Sequence, residues 1–240
     1  MLMKNVHDTI IIIPTLNEEE NIGKIIELLI ATYPEISVLV VDDNSRDRTQ
    51  EIAKHLVTRS PSRVYLFTRT STPGYGHSII DGLKWALEHK YACVISMDAD
   101  FSHDYMIVKE LRELVIDKDC GMAIGSRYVP GGGIANWKLR RKILSRLANF
   151  YVRTILSLHI HDMTSGFVGY SRDAVERLLQ NPPNSRGYSF LVETKYKLAR
   201  AKLHICEYPI IFTDRREGQS KMSSKVIWES IWLPWRLLLN

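Results

Sequence analysis

The chain has 240 residues, 45% of them hydrophobic and 25% charged, which excludes a disordered polypeptide and, at about 150 residues per domain, leaves room for one large or two small domains. The net charge of +5 is unevenly spread: residues 1–100 carry 10 Lys/Arg against 14 Asp/Glu, a balance of −4, and residues 101–240 carry 22 against 13, a balance of +9. Residues 120–161 hold seven Lys or Arg and no Asp or Glu, too mixed with apolar residues for a basic tail, so this stretch is expected to face an anion.

In chain order, residues 9–13 (TIIII) read as a β-branched strand ended by Pro14, and Ile22, Ile25, Ile26, Leu29 and Ile30 form the stripe of a following helix. The pattern repeats with a strand at 37–41, the turn DDNSRD and a helix over about 47–56. Further strands are predicted at 64–68, 93–97 and 121–125, with helices near 77–88 and 104–116. Continuous apolar strands alternating with helices specify an α/β fold with a mostly parallel central sheet. Beyond residue 126 the alternation weakens into the loop PGGG (130–133), a long helix over 139–158, another over 187–201, a late strand at 205–213 and a closing segment with Trp228, Trp232 and Trp235. Without a linker or repeat, residues 1–240 read as a single domain with a basic, helical C-terminal portion.

Three cysteines, Cys93, Cys120 and Cys206, are too few and too scattered for a disulfide framework or zinc knuckle; their odd number suits a reducing compartment, and they are expected to be ordinary core residues. The N-terminus has no signal-peptide pattern. No run approaches the roughly 20 apolar residues of a membrane span, so a soluble or peripheral chain is expected.

Ligands of open α/β sheets bind outside the carboxyl ends of the strands. Three such ends carry suitable residues: Pro14 to Glu18, Asp42 to Ser45, and Asp98-Ala99-Asp100. Asn17 or Asp43 taken alone would serve as a helix cap. On an extended strand end Asp98 and Asp100 point the same way, with Ala99 small enough to let a ligand approach, and such a pair can hold a hard cation whose coordination phosphate oxygens complete. No glycine-rich phosphate loop follows the first strand, which excludes P-loop and dinucleotide-binding readings. The histidines lack H-E-x-x-H spacing and receive no catalytic role.

These residues lie in a longer series: PTLNEEENI (14–22), VVDDNSRDRT (40–49), GYGHSIIDGLKWA (74–86), MDADFSHD (97–104), GSRYVPGGGIANWKLRRKILS (125–145), TSGFVGYSR (164–172), GYSFLVE (187–193) and EYPIIFTDRREGQSKMS (207–223). The series resembles the inverting glycosyltransferases of family 2, and within them the polyprenyl (dolichyl) phosphate mannosyltransferases, almost end to end. The resemblance implies a GT-A fold, with a nucleotide-sugar and metal half over 1–126 and an acceptor half over 127–240, that transfers mannose from GDP-mannose to a polyprenyl or dolichyl phosphate with Mg²⁺ or Mn²⁺. It assigns Pro14, Leu16, Glu18, Val41 and Asp43 to the nucleotide, Asp98 and Ala99 to the sugar-diphosphate region, and Asp100 to the metal. Arg127, Arg215 and Lys221 complete the donor and phosphate site, and Asp98, Asp100 and Arg127 are the implied catalytic set. Relatives often have Tyr at Leu16, which leaves UDP-glucose or UDP-N-acetylglucosamine open as the donor, and some have the metal-holding Gln at Ser102, where Ser would act at closer range or through water.

In the basic stretch, Arg141 and Ser145 are i and i+4 on one helix face, able to grip a phosphate, while Leu144, Leu147, Tyr151, Ile155 and Leu158 form an apolar stripe. A cationic helix start opposes the macrodipole, which favours a phosphate role over a solvated triplet at Arg140, Arg141 and Lys142. With Arg127 this makes the implied acceptor-phosphate site. Nucleic acid is not expected, since few aromatics interleave with the bases. In the C-terminal segment Pro234 is expected to kink or end the helix. The three tryptophans with Lys225 and Arg236 suit either a membrane-surface anchor or packing on the core. The implied location is peripheral, on the cytoplasmic face of a membrane. The reading from a different class is a catalytically silent nucleotide-sugar-binding scaffold.

Overall fold

The computed structural model describes residues 8–185, 187–213 and 224–239, the last segment with side chains from Ile231 onward. Strands β1 (Thr9–Thr15), β2 (Ile36–Asp42), β3 (Val64–Thr68), β4 (Cys93–Ser96) and β5 (Met122–Ser126) alternate with helices α1 (Ile22–Thr32), α2 (Thr49–Arg59), α3 (Tyr75–Glu88) and α4 (Val108–Ile116). Then follow β6 (Gly133–Ile134), α5 (Leu139–Ile155), β7 (Val168–Ser171), α6 (Arg172–Gln180), α7 (Gly187–Arg200), β8 (Ile205–Pro209), β9 (Ile211–Phe212) and α8 (Ser224–Leu239). Seven strands form one sheet in the order β3-β2-β1-β4-β7-β5-β8, while β6 and β9 form a small second sheet. All neighbours in the large sheet run parallel except β7, which is antiparallel to β4 and β5. The α/β class with a mostly parallel sheet is therefore what the sequence predicts.

Side chains alternate across a strand, and both directions are apolar here. Ile10, Ile12, Leu39 and Val41 pack on one side with residues of α3, α6, α7 and α8. Ile11, Ile13, Val38 and Val40 pack on the other with α1, α2 and α4. This two-sided burial explains why β1 and β2 read as unbroken apolar runs.

The structure departs from the sequence reading at several elements. The short strands β6 and β7 and helix α6 were not anticipated. The strand expected over 205–213 divides at Ile210, whose N–H donates to Ser126 in the large sheet and whose carbonyl accepts from Gly133 of the small one. Helix α8 runs on through Pro234, so of the two outcomes expected there, a kink or an end, the end does not occur. The predicted apolar stripe of α5 does not face the core at its N-terminal half: Leu144 and Leu147 are exposed, and the helix buries Asn149 and Val152 instead. The cysteine expectation also fails, since only Cys93 is a free core thiol. Cys120 and Cys206 form a disulfide with a Cα–Cα distance of 6.0 Å, tying the turn before β5 to β8, the strand that pairs with β5.

Candidate active site

The loops after β1 and β2 are stitched together. Asn17, at φ 59°, donates its N–H to Ser45 Oγ (2.9 Å) and accepts from the Arg46 N–H at Oδ1 (2.9 Å). Asn17 therefore links two loops and does not cap a helix. Glu18 donates its N–H to Thr49 Oγ1 (2.8 Å) and accepts from the Asn21 side chain (3.0 Å). Asp43 is no cap either: its carboxylate accepts from Arg69 Nη1 on one oxygen and from the Gly74 N–H on the other (2.6 Å). Arg69 in turn reaches Asp81 at 2.6 Å. Pro14 and Leu16 stand at this edge, Leu16 exposed, whereas the Val41 side chain is wholly in the core, which limits any ligand contact there to its backbone.

β4 ends at Ser96, so Asp98 and Asp100 lie on a turn and not on an extended strand end. The turn aims each carboxylate. Ser102 donates both its N–H (3.1 Å) and its hydroxyl to Asp100 Oδ1, and His103 Nε2 lies 3.7 Å from an Asp98 oxygen. Phe101 takes φ 59° to make the bend. Asp98 is partly exposed and Asp100 nearly buried, with the Ala99 methyl turned into the core. Two carboxylates on one turn are a hard-oxygen donor set of the kind Mg²⁺ or Mn²⁺ takes, so these residues fit such an ion.

On the other side, Arg127 is 8% exposed and forms a fork on Asp162, with Nε and Nη2 at 2.7 Å from its two oxygens. Nη2 also donates to Thr164 Oγ1 (2.7 Å). Burial pushes the Asp162 carboxyl up, but the adjacent guanidinium outweighs it and holds the group below the usual carboxylate range. Glu207 of β8 fixes this corner by accepting the N–H groups of His161 and Asp162 at 2.8 and 2.9 Å. The loop carrying Gly132 comes so close that a Cβ there would lie 2.6 Å from the Ser126 carbonyl, the steric reason for glycine in PGGG.

Along α5, Ser145 and Asn149 turn toward the same corner. Ser145 Oγ pairs with Tyr128 Oη at 2.6 Å. Asn149 accepts from the Met163 N–H (2.8 Å), and the Arg141 guanidinium lies 3.7 Å above the Trp137 ring. Trp137 meets Phe212 edge-on, and Phe212 meets His103, so one aromatic contact series joins the basic helix to the carboxylate turn. Arg215, Lys221 and the side chains of Trp228 and Lys225 lie outside the described residues.

Sequence reasoning missed Asp162, Thr164, Arg69, Tyr128 and Lys195. Lys195 is fully buried on α7, its Nζ donating to the Ser165 carbonyl at 2.8 Å. Burial lowers its ammonium to about 7, with Asp162 opposing the shift and Arg127 adding to it. The unfolded chain, with Lys near 10.4, then binds more protons than the folded one between about pH 7 and pH 10, so stability rises with pH across that window. Urea unfolding at pH 6.5 and pH 9 should show this gain in the wild type and a flatter response in Lys195→Met. Equal slopes in both proteins would contradict it.

A mostly parallel sheet covered by helices, with a two-carboxylate turn at the end of β4, fits the GT-A fold of nucleotide-sugar-dependent glycosyltransferases. The chain belongs to glycosyl transferase family 2, whose model matches residues 10–179. It is 40% identical over 225 residues to a polyprenol monophosphomannose synthase of Mycolicibacterium smegmatis, covering 93% of this chain and 84% of that protein. It is 38% identical over 220 residues to an undecaprenyl-phosphate mannosyltransferase of Micrococcus luteus, covering 92% and 89%. Among solved structures, the glucosyl-3-phosphoglycerate synthase of Mycobacterium tuberculosis, in complex with Mn²⁺, UDP and glucosyl-3-phosphoglycerate, superposes with a TM-score of 0.66 at 17% identity, over 96% of this chain and 78% of that one.

Proposed function

We propose that this glycosyltransferase moves mannose from GDP-mannose to a polyprenyl phosphate with inversion at the anomeric carbon. The observation that carries the reading is the two-faced character of α5. Ser145 and Asn149 face the Arg127–Asp162 corner, with Arg141 one turn before Ser145 and stacked over Trp137, while Leu139 (71% exposed), Ile143, Leu147 and Phe150 face outward. A lipid phosphate has the same two parts, an anionic head and an apolar chain. The names of the two mannosyl-transferring relatives support the same acceptor class.

Asp98 and Asp100 are the residues to hold Mg²⁺ or Mn²⁺, which when bound neutralises charge on the diphosphate leaving group. Ser102 contributes by fixing Asp100, to which its hydroxyl is committed. Pro14, Leu16, Glu18 and Asp43 flank the nucleotide, with Asp43 oriented by Arg69 and Gly74. Ala99 gives its backbone to the sugar-diphosphate region, and Arg215 and Lys221 belong to the donor side. Arg127, Arg141 and Ser145 bind the acceptor phosphate and present an oxygen to the anomeric carbon. A phosphomonoester with a second pKa near about 6 is largely dianionic at neutral pH, so no base is required. Asp162, the carboxylate that touches Arg127, is buried and committed to that guanidinium, which suits an acceptor of this kind.

No helix among the described residues is long and apolar enough to cross a membrane. The outward residues of α5 stand beside exposed Arg140 and Arg146, and α8 adds Trp232 and Trp235, both exposed, while Leu233 and Leu237 pack inward. Tyr151 Oη ties the two helices, donating to the Ile231 carbonyl (2.8 Å) and accepting from Trp235 Nε1 (2.9 Å). Apolar residues edged by cations suit a membrane surface, so α8 serves both roles weighed for it, core packing on one side and docking on the other.

One paired experiment tests both faces of α5. Arg141→Ala should raise the acceptor KM about 10- to 100-fold, the worth of a charged hydrogen bond, with donor KM little changed. Leu147→Ser with Phe150→Ser should raise it only when the acceptor is in vesicles and not in detergent micelles. A donor-side effect from Arg141→Ala, or an equal effect of the double variant in micelles, would overturn the assignment of the faces.

A further inference from the structure

At the opposite end of the sheet from the strand ends just described, Cys120, His204 and Cys206 bring one donor atom each to within 4.8 Å of one another. His204 and Cys206 are two apart at the start of edge strand β8, and Cys120 precedes the parallel strand β5. The two thiols form the disulfide already described. A disulfide needs no third group, yet an exposed imidazole stands over it, with Nε2 at 3.7 Å and Nδ1 at 3.9 Å from Cys206 Sγ. Zn–S bonds of about 2.3 Å and Zn–N bonds of about 2.0–2.1 Å in a tetrahedron separate neighbouring donors by roughly 3.5–3.8 Å, which is close to the spacing of the His204 ring nitrogens from Cys206 Sγ.

We propose that, once the Cys120–Cys206 disulfide is reduced, the two thiolates and the His204 imidazole hold a Zn²⁺ ion, so that metal and disulfide exclude each other. Two sulfurs and a nitrogen are the borderline-soft donors that Zn²⁺ takes, in contrast to the oxygen donors of Asp98 and Asp100. The half-exposed edge leaves the fourth tetrahedral position to water. Binding displaces two thiol protons. Oxidation by a small-molecule disulfide such as oxidised glutathione takes two electrons from the thiolates, forms the Cys120–Cys206 bond, cleaves the glutathione disulfide into two thiolates and releases Zn²⁺. Cys93 takes no part: it is fully buried among the apolar side chains that face α1, α2 and α4, and burial pushes its thiol up to about 12.

The full chain, reduced with a phosphine under anaerobic conditions, is titrated with Co²⁺ and then Zn²⁺. The expected result is sulfur-to-cobalt charge-transfer absorption that saturates at one thiolate-bound Co²⁺ per chain and is bleached by Zn²⁺. That absorption should be unchanged in Asp98→Asn/Asp100→Asn and lost in Cys206→Ser. His204→Ala should weaken binding more than about tenfold, since even groups that only orient a ligand are worth that much. Oxidised glutathione should release the Zn²⁺ to a chromophoric chelator as two thiols disappear. Absence of the charge-transfer band in the reduced wild type, or equal Zn²⁺ affinity in His204→Ala, would overturn the proposal; the first result needs no variant and so does not depend on any variant folding.

Discussion

Asp100→Asn is expected to lower kcat/KM by about 10³-fold or more, because the charge stabilisation a bound cation supplies is worth several kcal/mol and each 1.36 kcal/mol is about tenfold in rate. The substitution is nearly isosteric, and the amide oxygen can still accept from the Ser102 N–H and hydroxyl that hold this side chain. The turn should therefore survive, with a melting temperature close to that of the wild type. What is lost is one negative charge in a nearly buried position, and the direct readout is Mn²⁺ binding in the presence of the nucleoside diphosphate, followed by calorimetry. Ser102→Ala should act in the same direction but more weakly, since it removes the orienting hydroxyl and leaves the charge. Full activity with unchanged Mn²⁺ binding in Asp100→Asn would refute the metal assignment.

Asp162→Asn is expected to cost stability and activity together. Removing one partner of a buried ion pair leaves the other uncompensated, at about 3–5 kcal/mol, which for a chain of this length is a fall in Tm on the order of 10 °C. Two further features place Asp162 at the upper end. It is wholly buried, and Lys195 depends on it as a counter-charge. At a temperature where the variant is folded, Arg127 should be misaligned and the acceptor KM raised. A Tm within about 2 °C of the wild type would mean that the fork on Arg127 is not what holds this corner together.

The parallel core was legible in the sequence because its strands are buried on both faces and read as apolar runs, such as Ile10 to Ile13 and Val38 to Val41. β7 was not: Val168 to Ser171 is four residues long, contains Gly169, and pairs antiparallel with strands far away in sequence. The site divides in the same way. Asp98 and Asp100 stood out because local spacing carries their chemistry. Asp162 lies 35 residues from Arg127 and Arg69 lies 26 residues from Asp43, distances over which no periodic signal exists. α5 was misread for a different reason. Its apolar residues point in more than one direction, and periodicity alone does not say that Ser145 and Asn149 are the side turned inward by Tyr128 and Met163. The sequence separation of 86 between Cys120 and Cys206 likewise defeats a rule based on counting cysteines.

The split of charge along the chain fits the proposed arrangement, with acidic strand ends for a cation and its diphosphate and a basic helix for a lipid phosphate. Leu16, exposed at the edge of the sheet beside Pro14, is the position on which the proposed choice of base turns. The most direct test incubates the protein with polyprenyl phosphate, Mn²⁺ or Mg²⁺, and radiolabelled GDP-mannose, UDP-glucose or UDP-N-acetylglucosamine in turn. Label should pass into the lipid fraction from GDP-mannose, only with the metal present; transfer from a UDP-sugar alone, or from no donor, would contradict the account.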